Sequence, residues 1–351
     1  MIGNTDRELA RKPALIGAAL RNAFPRPAGP LGWALNVAFA MAGVGLAVLL
    51  FIIAARLVRP DSNLFFIWAN AYTFWIYIPA YFILAAAAVF RRWLFVGVAL
   101  IVVSFHLAWV LPDYRPAEAI PAEALSAPHL RLMTANVYFE NPDFTGIANE
   151  ILAEDPDVLF LQEYGPALED ALVESGVAER LGYSKVAYEN PYFGSAIYSR
   201  FPLEDVTTFR AGGRLAIHAS VRVGAVSISL YNLHPTSPGL GEGAAASWNE
   251  AWSRITKELA ANPGRLIAAG DFNLDQHHKW YRKLKEIGLK SAHEERGRGN
   301  ATTWPKGRKL RPIRIDHVFH SDQIVCLSIR EGIGQGSDHR PVIAELAILQ
   351  P

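Results

Sequence analysis

The sequence predicts a protein of two unlike parts: an N-terminal region of three membrane-crossing helices, then an α+β domain in which mixed β-sheets are covered by helices. Three observations predict it. Residues 31–55, 64–90 and 93–111 are apolar runs free of Asp, Glu, Lys and Arg, each long enough to cross a hydrocarbon core, which takes roughly 18 residues or more. Residues 112–128 place Pro112, Pro116, Pro121 and Pro128 among Ala and Glu, with no apolar period. From His129 onward, short runs rich in β-branched residues alternate with helical stretches and with turns marked by Gly or Pro.

The charge balance follows the same division. The 351 residues carry 34 Lys and Arg against 33 Asp and Glu. Through residue 111 there are nine basic residues and three acidic ones, which leaves 25 basic and 30 acidic residues for the remainder. A basic, apolar third therefore precedes a mildly acidic globular part. With 51% hydrophobic residues and a single cysteine, Cys326, the chain is neither disordered nor a disulfide scaffold.

The first apolar run begins behind a charged tail, residues 1–30, and lacks a small-residue cleavage pattern, so it reads as a retained anchor. Trp33, Trp68, Trp75, Trp93 and Trp109 supply interfacial rings, several near run ends. Three crossings put the tail and the Arg91–Arg92 turn on one side, with seven basic residues, and Arg56, Arg59 and Arg115 on the other. That bias predicts a cytoplasmic tail and an extracytoplasmic, periplasmic-side globular domain. His106 and Asn70, polar groups inside the runs, are expected as interhelical hydrogen-bond partners. Residues 112–128 read as a semi-rigid proline-rich linker.

In the remainder, 129–351, strands are expected at 130–137, 157–162, 195–199, 215–221, 226–233, 265–270, 315–320, 324–330 and 342–347. Helices are expected at 144–153, 167–174, 244–261 and 279–287. Asn136, Glu163, His234, Asp271, Asn273, Asp316, His317, Asp338 and His339 all fall at or near ends of apolar strands. A buried strand end is a costly place for a carboxylate without a partner or a metal, so the pattern points to a site.

These residues sit in runs that resemble the endonuclease/exonuclease/phosphatase superfamily. Asn136 closes Leu130–Arg131–Leu132–Met133–Thr134–Ala135, and Glu163 closes Pro156–Asp157–Val158–Leu159–Phe160–Leu161–Gln162. Gly270–Asp271–Phe272–Asn273, Arg314–Ile315–Asp316–His317 and Ser337–Asp338–His339–Arg340–Pro341 follow in the family's order. The resemblance covers the whole globular part, as in a membrane-anchored bacterial-type member. It implies a DNase I-like four-layer sandwich, two mixed sheets flanked by helices, that cleaves phosphoesters with Mg²⁺, or with Mn²⁺ or another divalent ion in its place. By the same resemblance Glu163 is the main metal ligand, supported by Asn136 and Asp338. Asp271 accepts the proton of the attacking water, Asn273 orients phosphate or water, His339 contacts the phosphate with Asp316 fixing its tautomer, and His234 stabilises the phosphate or the leaving group.

Two stretches depart from the pattern. Leu274–Asp275–Gln276–His277–His278 has no family match, and neighbouring histidines point in different directions, so solvated surface is expected for the pair. Lys306, Arg308, Lys309, Arg311 and Arg314 form a basic run beside Thr302, Thr303 and Trp304, to be read either as a solvated loop or as a phosphate-collecting rim.

The function expected is a membrane-anchored, divalent-metal-dependent phosphoester hydrolase. Its partners are the lipid bilayer and a phosphoester substrate, either a nucleic acid or a phospholipid headgroup; the sequence identifies no protein partner. The alternative is a catalytically inactive family domain serving as a membrane-bound interaction module. That alternative requires loss of a station among Glu163, Asp271, Asn273, Asp316 and His339, and all five are present.

Overall fold

A computed structural model describes residues 23–188, 190, 193–239, 241–307 and 312–350. Its contacts divide it into two compact units: residues up to Pro60 with Tyr72–Leu111, and Asp61–Ala71 with Pro112 onward. In chain order the N-terminal third holds α1 (Gly29–Val58), α2 (Leu64–Ala71), α3 (Thr73–Ile76), α4 (Ile78–Val89) and α5 (Trp93–Val110).

α1 and α5 are long and apolar enough to cross a membrane. The second apolar run, expected as one helix over 64–90, is bent by 82° between α2 and the stretch Thr73–Val89. The candidate spans therefore number two, or three if the bent pair is one span. Pro79 in the first turn of α4 starts a new helix, as suits a residue with no N–H to give. Hydropathy alone does not register that break. Leu31, Trp33, Phe51, Phe82 and Val89 of the first unit are exposed, an apolar surface of the kind that lipid covers. Inside this unit Arg56 donates to Thr73 Oγ1 at 2.7 Å and lies 4.0 Å over the Trp109 ring. His106 pairs with Tyr81 Oη at 2.9 Å, the interhelical bond expected of it. Asn70 does otherwise: it donates to Asp61 Oδ1 at 2.7 Å within the second unit.

The second unit continues with α6 (Ala122–Ser126), β1 (His129–Asn136), α7 (Phe144–Glu154), β2 (Val158–Tyr164), α8 (Pro166–Glu174), α9 (Val177–Leu181), β3 (Tyr183–Ala187) and β4 (Gly194–Ser199). Next come β5 (Glu204–Ala211), β6 (Arg214–Val223), β7 (Val226–Asn232), α10 (Ala244–Ala260) and β8 (Leu266–Asp271). The chain ends with α11 (Lys279–Glu286), β9 (Lys290–Ser291), α12 (Ala292–Glu295), β10 (Asp316–His320), β11 (Ile324–Glu331) and β12 (Val342–Ile348).

The strands form two six-stranded sheets, ordered β11-β12-β1-β2-β4-β3 and β5-β6-β7-β8-β10-β9. Each is mixed: β1 runs parallel to β2 and β7 parallel to β8, and the other pairings are antiparallel. Alternate residues pack between the sheets, among them Leu132, Phe160, Ile217, Ile228, Ile267 and Val318. The opposite faces bury α7 and α8 against Met133, Leu159 and Leu161, and α10 and α11 against Tyr231, Ala268 and Phe319. The result is four layers, helix, sheet, sheet and helix, as the resemblance implies. One polar knot crosses the dry interior: Gln162 donates to Asn232 Oδ1 at 2.7 Å, and Asn232 donates to the carbonyls of Leu161 and Ala196.

β3, β5 and the two-residue β9 were not expected from the sequence. Each is an outer strand of its sheet, and β5 is exposed at five successive positions, so none carries the apolar alternation of a half-buried strand. Residues 112–128, read as a spacer, lie against the second unit: Gln276 donates to Asp113 Oδ2, and Glu118 N donates to Glu295 O.

Gly270 is required where β8 passes β7. Its φ is +143°, and a Cβ there would sit 2.0 Å from Leu233 O, which no side-chain rotation relieves. Gly270→Ala is expected to destabilise the domain by roughly 3 kcal/mol or more and to displace Asp271; an unchanged urea midpoint would refute this.

Candidate active site

The two sheets end at the same place. Asn136 is the last residue of β1 and Asp271 the last of β8, in different sheets, and Asn136 Nδ2 donates to Asp271 Oδ2 at 3.0 Å. The same amide nitrogen donates to Glu163 Oε1 at 3.1 Å. Glu163 sits where the β2–β4 register shifts, with φ at +56°. Such a bulge re-aims a side chain, and here it carries the carboxylate out of the strand alternation. Phe139 N–H donates to its other oxygen at 3.0 Å.

Asp271 is buried, and its Oδ1 accepts from Asn273 N–H at 2.9 Å across a tight turn in which Asn273 adopts φ +47°. Asn273 Nδ2 donates to Pro235 O, and Trp248 Nε1 donates to Asn273 O, so the turn is held from both sides. His234, just past β7, brings Nε2 to 3.6 Å from Asp271 Oδ2. His339 brings Nε2 to 3.9 Å from the same oxygen, while its Nδ1 is 2.9 Å from Asp316 Oδ2. Asp316 faces Asp271 directly across the β10–β8 pairing. Two further bonds hold the His339 loop: Ser337 Oγ donates to Asn136 O at 2.8 Å and accepts from His339 N–H.

These surroundings drive the two histidines apart in charge. Burial, reinforced by the positive Arg214 and His339, lowers His234 to a pKa of about 3. Burial also opposes charge on His339, but the carboxylates of Asp316 and Asp271 outweigh it and hold that imidazole up to about 10. Asp271 rises to about 7, chiefly because burial penalises its charge. The site thus contains a neutral imidazole, an imidazolium and a carboxylate poised as a proton acceptor near neutrality.

The expected residues converge with differences of role. Glu163, His234, Asp271, Asn273, Asp338 and His339 all line one cavity of about 300 Å³. Asp316 does not line it and reaches it only through its bond to His339 Nδ1. Asn136 turns its amide oxygen to Tyr138 N–H at 3.0 Å, so its first task is to fix carboxylates through Nδ2 rather than to present oxygen to an ion. Asp338 is half-exposed, and its Oδ2 accepts from Trp304 Nε1 at 2.9 Å.

Asp271, Asp316 and His339 offer ligand atoms within 4.8 Å of one another, a spacing that resembles a metal cluster. Asp316 of this cluster does not line the cavity and is bonded to His339 Nδ1. Glu163 and Asp338 do line it, and the hard oxygens of their carboxylates suit Mg²⁺.

His277 and His278, expected on the surface, are buried. His278 Nε2 lies 3.0 Å from Ile67 O, and His277 Nε2 lies 3.4 Å from Asp113 Oδ2. Arg314 is also buried, donating to the carbonyls of Arg298 and Gly299, so it forms no rim. Lys306 donates to Asp338 and Gly334 carbonyls through its backbone and side chain respectively; Arg308, Lys309 and Arg311 of the basic run lie outside the described residues. Sequence reasoning missed Arg214, Ile67 and Trp68 as cavity residues, because nothing local to them signals a site far along the chain.

The profile described as the endonuclease/exonuclease/phosphatase family matches residues 133–339, more than half of the chain. The chain belongs to this family. Endonuclease/exonuclease/phosphatase proteins are generally phosphoester hydrolases that usually use divalent metals. Similar solved structures include the family protein from Bacteroides vulgatus, with TM-score 0.51, 16% identity, and 63% of this chain and 99% of that one covered. The family protein from Beutenbergia cavernae has TM-score 0.50 and 19% identity, covering 63% and 72%. D. rerio TDP2 complexed with a single-strand DNA product has TM-score 0.50 and 16% identity, covering 62% and 98%. At such identities the likeness establishes the DNase I-like fold. No curated protein matches the chain.

The opposed histidine states are directly measurable. Imidazole ¹⁵N spectra between pH 5 and 8 are expected to show His234 neutral and His339 protonated throughout. Asp316→Asn removes the nearest charge supporting the imidazolium, so the His339 pKa should fall into or below that window; an unmoved His339 signal would refute the pairing.

Proposed function

We propose that the chain is a membrane-anchored, divalent-metal-dependent phosphoester hydrolase. The observation that carries this reading is the convergence on one cavity of a buried, upward-shifted Asp271, an imidazolium at His339, a neutral His234 and the re-aimed Glu163. An interaction module would gain nothing from holding so many buried ionisable groups at the mouth of one cavity, where their desolvation is costly.

In the proposed reaction Asp271 accepts a proton from water as the water oxygen attacks phosphorus and the bond to the leaving oxygen breaks. Asn273 and Asn136 hold the acceptor in place, which supplies much of the advantage of a bound base. His339 places positive charge against the non-bridging phosphate oxygens, where negative charge grows, and Asp316 maintains that charge as a positioning residue. His234, being neutral, contributes a hydrogen bond to the phosphate or leaving group. Glu163, held by Asn136 Nδ2, and Asp338 would hold Mg²⁺ or a similar ion, whose contribution when bound is to neutralise phosphate charge.

The two or three apolar helices support anchoring in a bilayer. The basic tail and Arg91–Arg92 support a cytoplasmic N-terminus, with the globular unit on the periplasmic side if the bent pair forms one span. Reporter fusions placed after residue 351 should then be active only outside the cytoplasm, and the opposite pattern would overturn this orientation.

Asp271→Asn keeps the side-chain volume but removes the acceptor, so turnover should fall by roughly 10²–10⁴ with substrate affinity little changed. Glu163→Gln should weaken the dependence on added divalent ion and lower turnover while leaving thermal unfolding unaltered. Hydrolysis of a soluble chromogenic phosphodiester by the wild-type chain, with and without chelator, is the primary assay. Activity that survives full chelation would remove the metal from the proposal, and a near wild-type Asp271→Asn enzyme would remove the base.

A further inference from the structure

The wall of the catalytic cavity includes residues from far earlier in the chain. Ile67, Trp68 and Ala71 of α2 line it together with Asp271, Asp338 and His339, although α2 belongs by sequence to the apolar N-terminal third. Its attachment is specific. Asp61 is fully buried, its Oδ2 accepts from Lys279 N–H at 2.7 Å, and its carbonyl accepts from Asn249 Nδ2 at 3.0 Å. Lys279 opens α11, so Asp61 caps that helix from a distant part of the chain, satisfying an orphan N–H and placing negative charge at the positive end of the helix. Ile67 is fully buried in the same core cluster as Trp248, Tyr281 and Leu284, and its carbonyl meets His278. The residues that depart from the family pattern at 275–278 are thus part of the seat for this segment.

We infer that Asp61–Ala71 is a substrate-selecting element of the active site, and that the substrate is an amphiphilic lipid phosphoester whose apolar portion rests on Trp68 and Ala71 while its phosphate faces Asp271 and His339. This rests on the hydrolase reading above and names its substrate class. The lining is divided in chemistry: Asp271, Asp338 and His339 carry ionisable groups, and α2 contributes the Trp68 indole and Ala71. A cavity with both kinds of lining suits a molecule that is itself divided in that way. The chain from Ala71 enters directly into an apolar stretch with no charged residue before Arg91, and Phe65 of α2 is exposed. A stacking indole also suits a nucleobase, but the residues after 111 carry 25 basic against 30 acidic side chains, a poor balance for a polyanion.

The test uses the full chain in nanodiscs or detergent and compares three probes: short-chain dihexanoyl phospholipids of several headgroups, their deacylated glycerophosphodiester counterparts, and a single-stranded oligonucleotide. Wild type is expected to prefer an acylated probe. Trp68→Ala should lower kcat/KM on that probe by roughly tenfold or more, mainly through KM, and leave the deacylated counterpart within about twofold. Trp68→Phe should restore most of the loss. Trp68 is only half-buried, so the fold should tolerate the change, and thermal unfolding checks this. If Trp68→Ala does not fold, the wild-type ratio of acylated to deacylated turnover together with Trp68→Phe carries the test. No acyl preference, equal losses on both diester probes, or preference for the oligonucleotide would overturn the inference and leave the hydrolase reading intact. No hydrolysis of any probe would overturn both.

Discussion

An amide-to-carboxylate hydrogen bond, from Asn136 to Asp271, joins the ends of the two sheets at the candidate site. The interior between the sheets is mainly apolar, and its attraction is strong but not directional. It brings the sheets together without specifying which strand ends meet. The bond between the last residues of β1 and β8 supplies that information, and the Gln162–Asn232 knot supplies it again deeper between the layers. Because Asn136 also holds Glu163, and Ser337 reaches the Asn136 carbonyl, three loops take their positions from one side chain and its backbone. Removing it would leave two carboxylates in a largely desolvated pocket without their shared donor, a far larger penalty than the worth of one exposed hydrogen bond.

The electrostatics follow from the same enclosure. Four ionisable groups, Asp271, Asp316, His234 and His339, are buried within a few ångströms of one another. A low-polarity setting makes each neighbouring charge count, so the surroundings of each ring decide its state. Burial opposes charge on His339, but the carboxylates of Asp316 and Asp271 outweigh it and hold its pKa up. For His234 burial prevails, with Arg214 and His339 adding positive charge, and its pKa is lowered. The geometry converts two chemically identical side chains into two different tools.

The position of the candidate site was legible in the sequence because its residues fall at strand ends. Glu163, Asp271, Asp316 and His339 each stand at or near an end of an apolar run, and polar groups there stand out against the strand period. The helix–sheet–sheet–helix order was legible for the same reason, since inner strands and amphipathic helices carry strong periodicity. What was not legible depends on contacts between distant segments. β3 and β5 lie at sheet edges, where burial does not impose a pattern. His277 and His278 look like surface residues until α2 is laid over them. Arg314 looks like part of a basic rim, although only the tertiary fold reveals the carbonyls of Arg298 and Gly299 that draw it inward. The break near Tyr72 escaped hydropathy because the residues on both sides of it are equally apolar, while their fates differ: one part seals a soluble core and the other continues an apolar bundle.

The distant cap that Asp61 places on α11 has a consequence for biosynthesis. Donor and acceptor are 218 positions apart, so on the ribosome the segment Asp61–Ala71 emerges long before the helix it caps exists. The apolar helices before and after it in the chain are complete before that helix is made, while α2 still lacks its partners. The core that α2 completes cannot close until Trp248, Tyr281 and Leu284 have been made. Under the membrane-anchored reading proposed above, insertion of the apolar helices and completion of the globular core are thereby coupled in time. Under that reading, a nascent chain whose α2 was inserted as membrane helix would lack the part of the cavity lining that Trp68 and Ala71 supply.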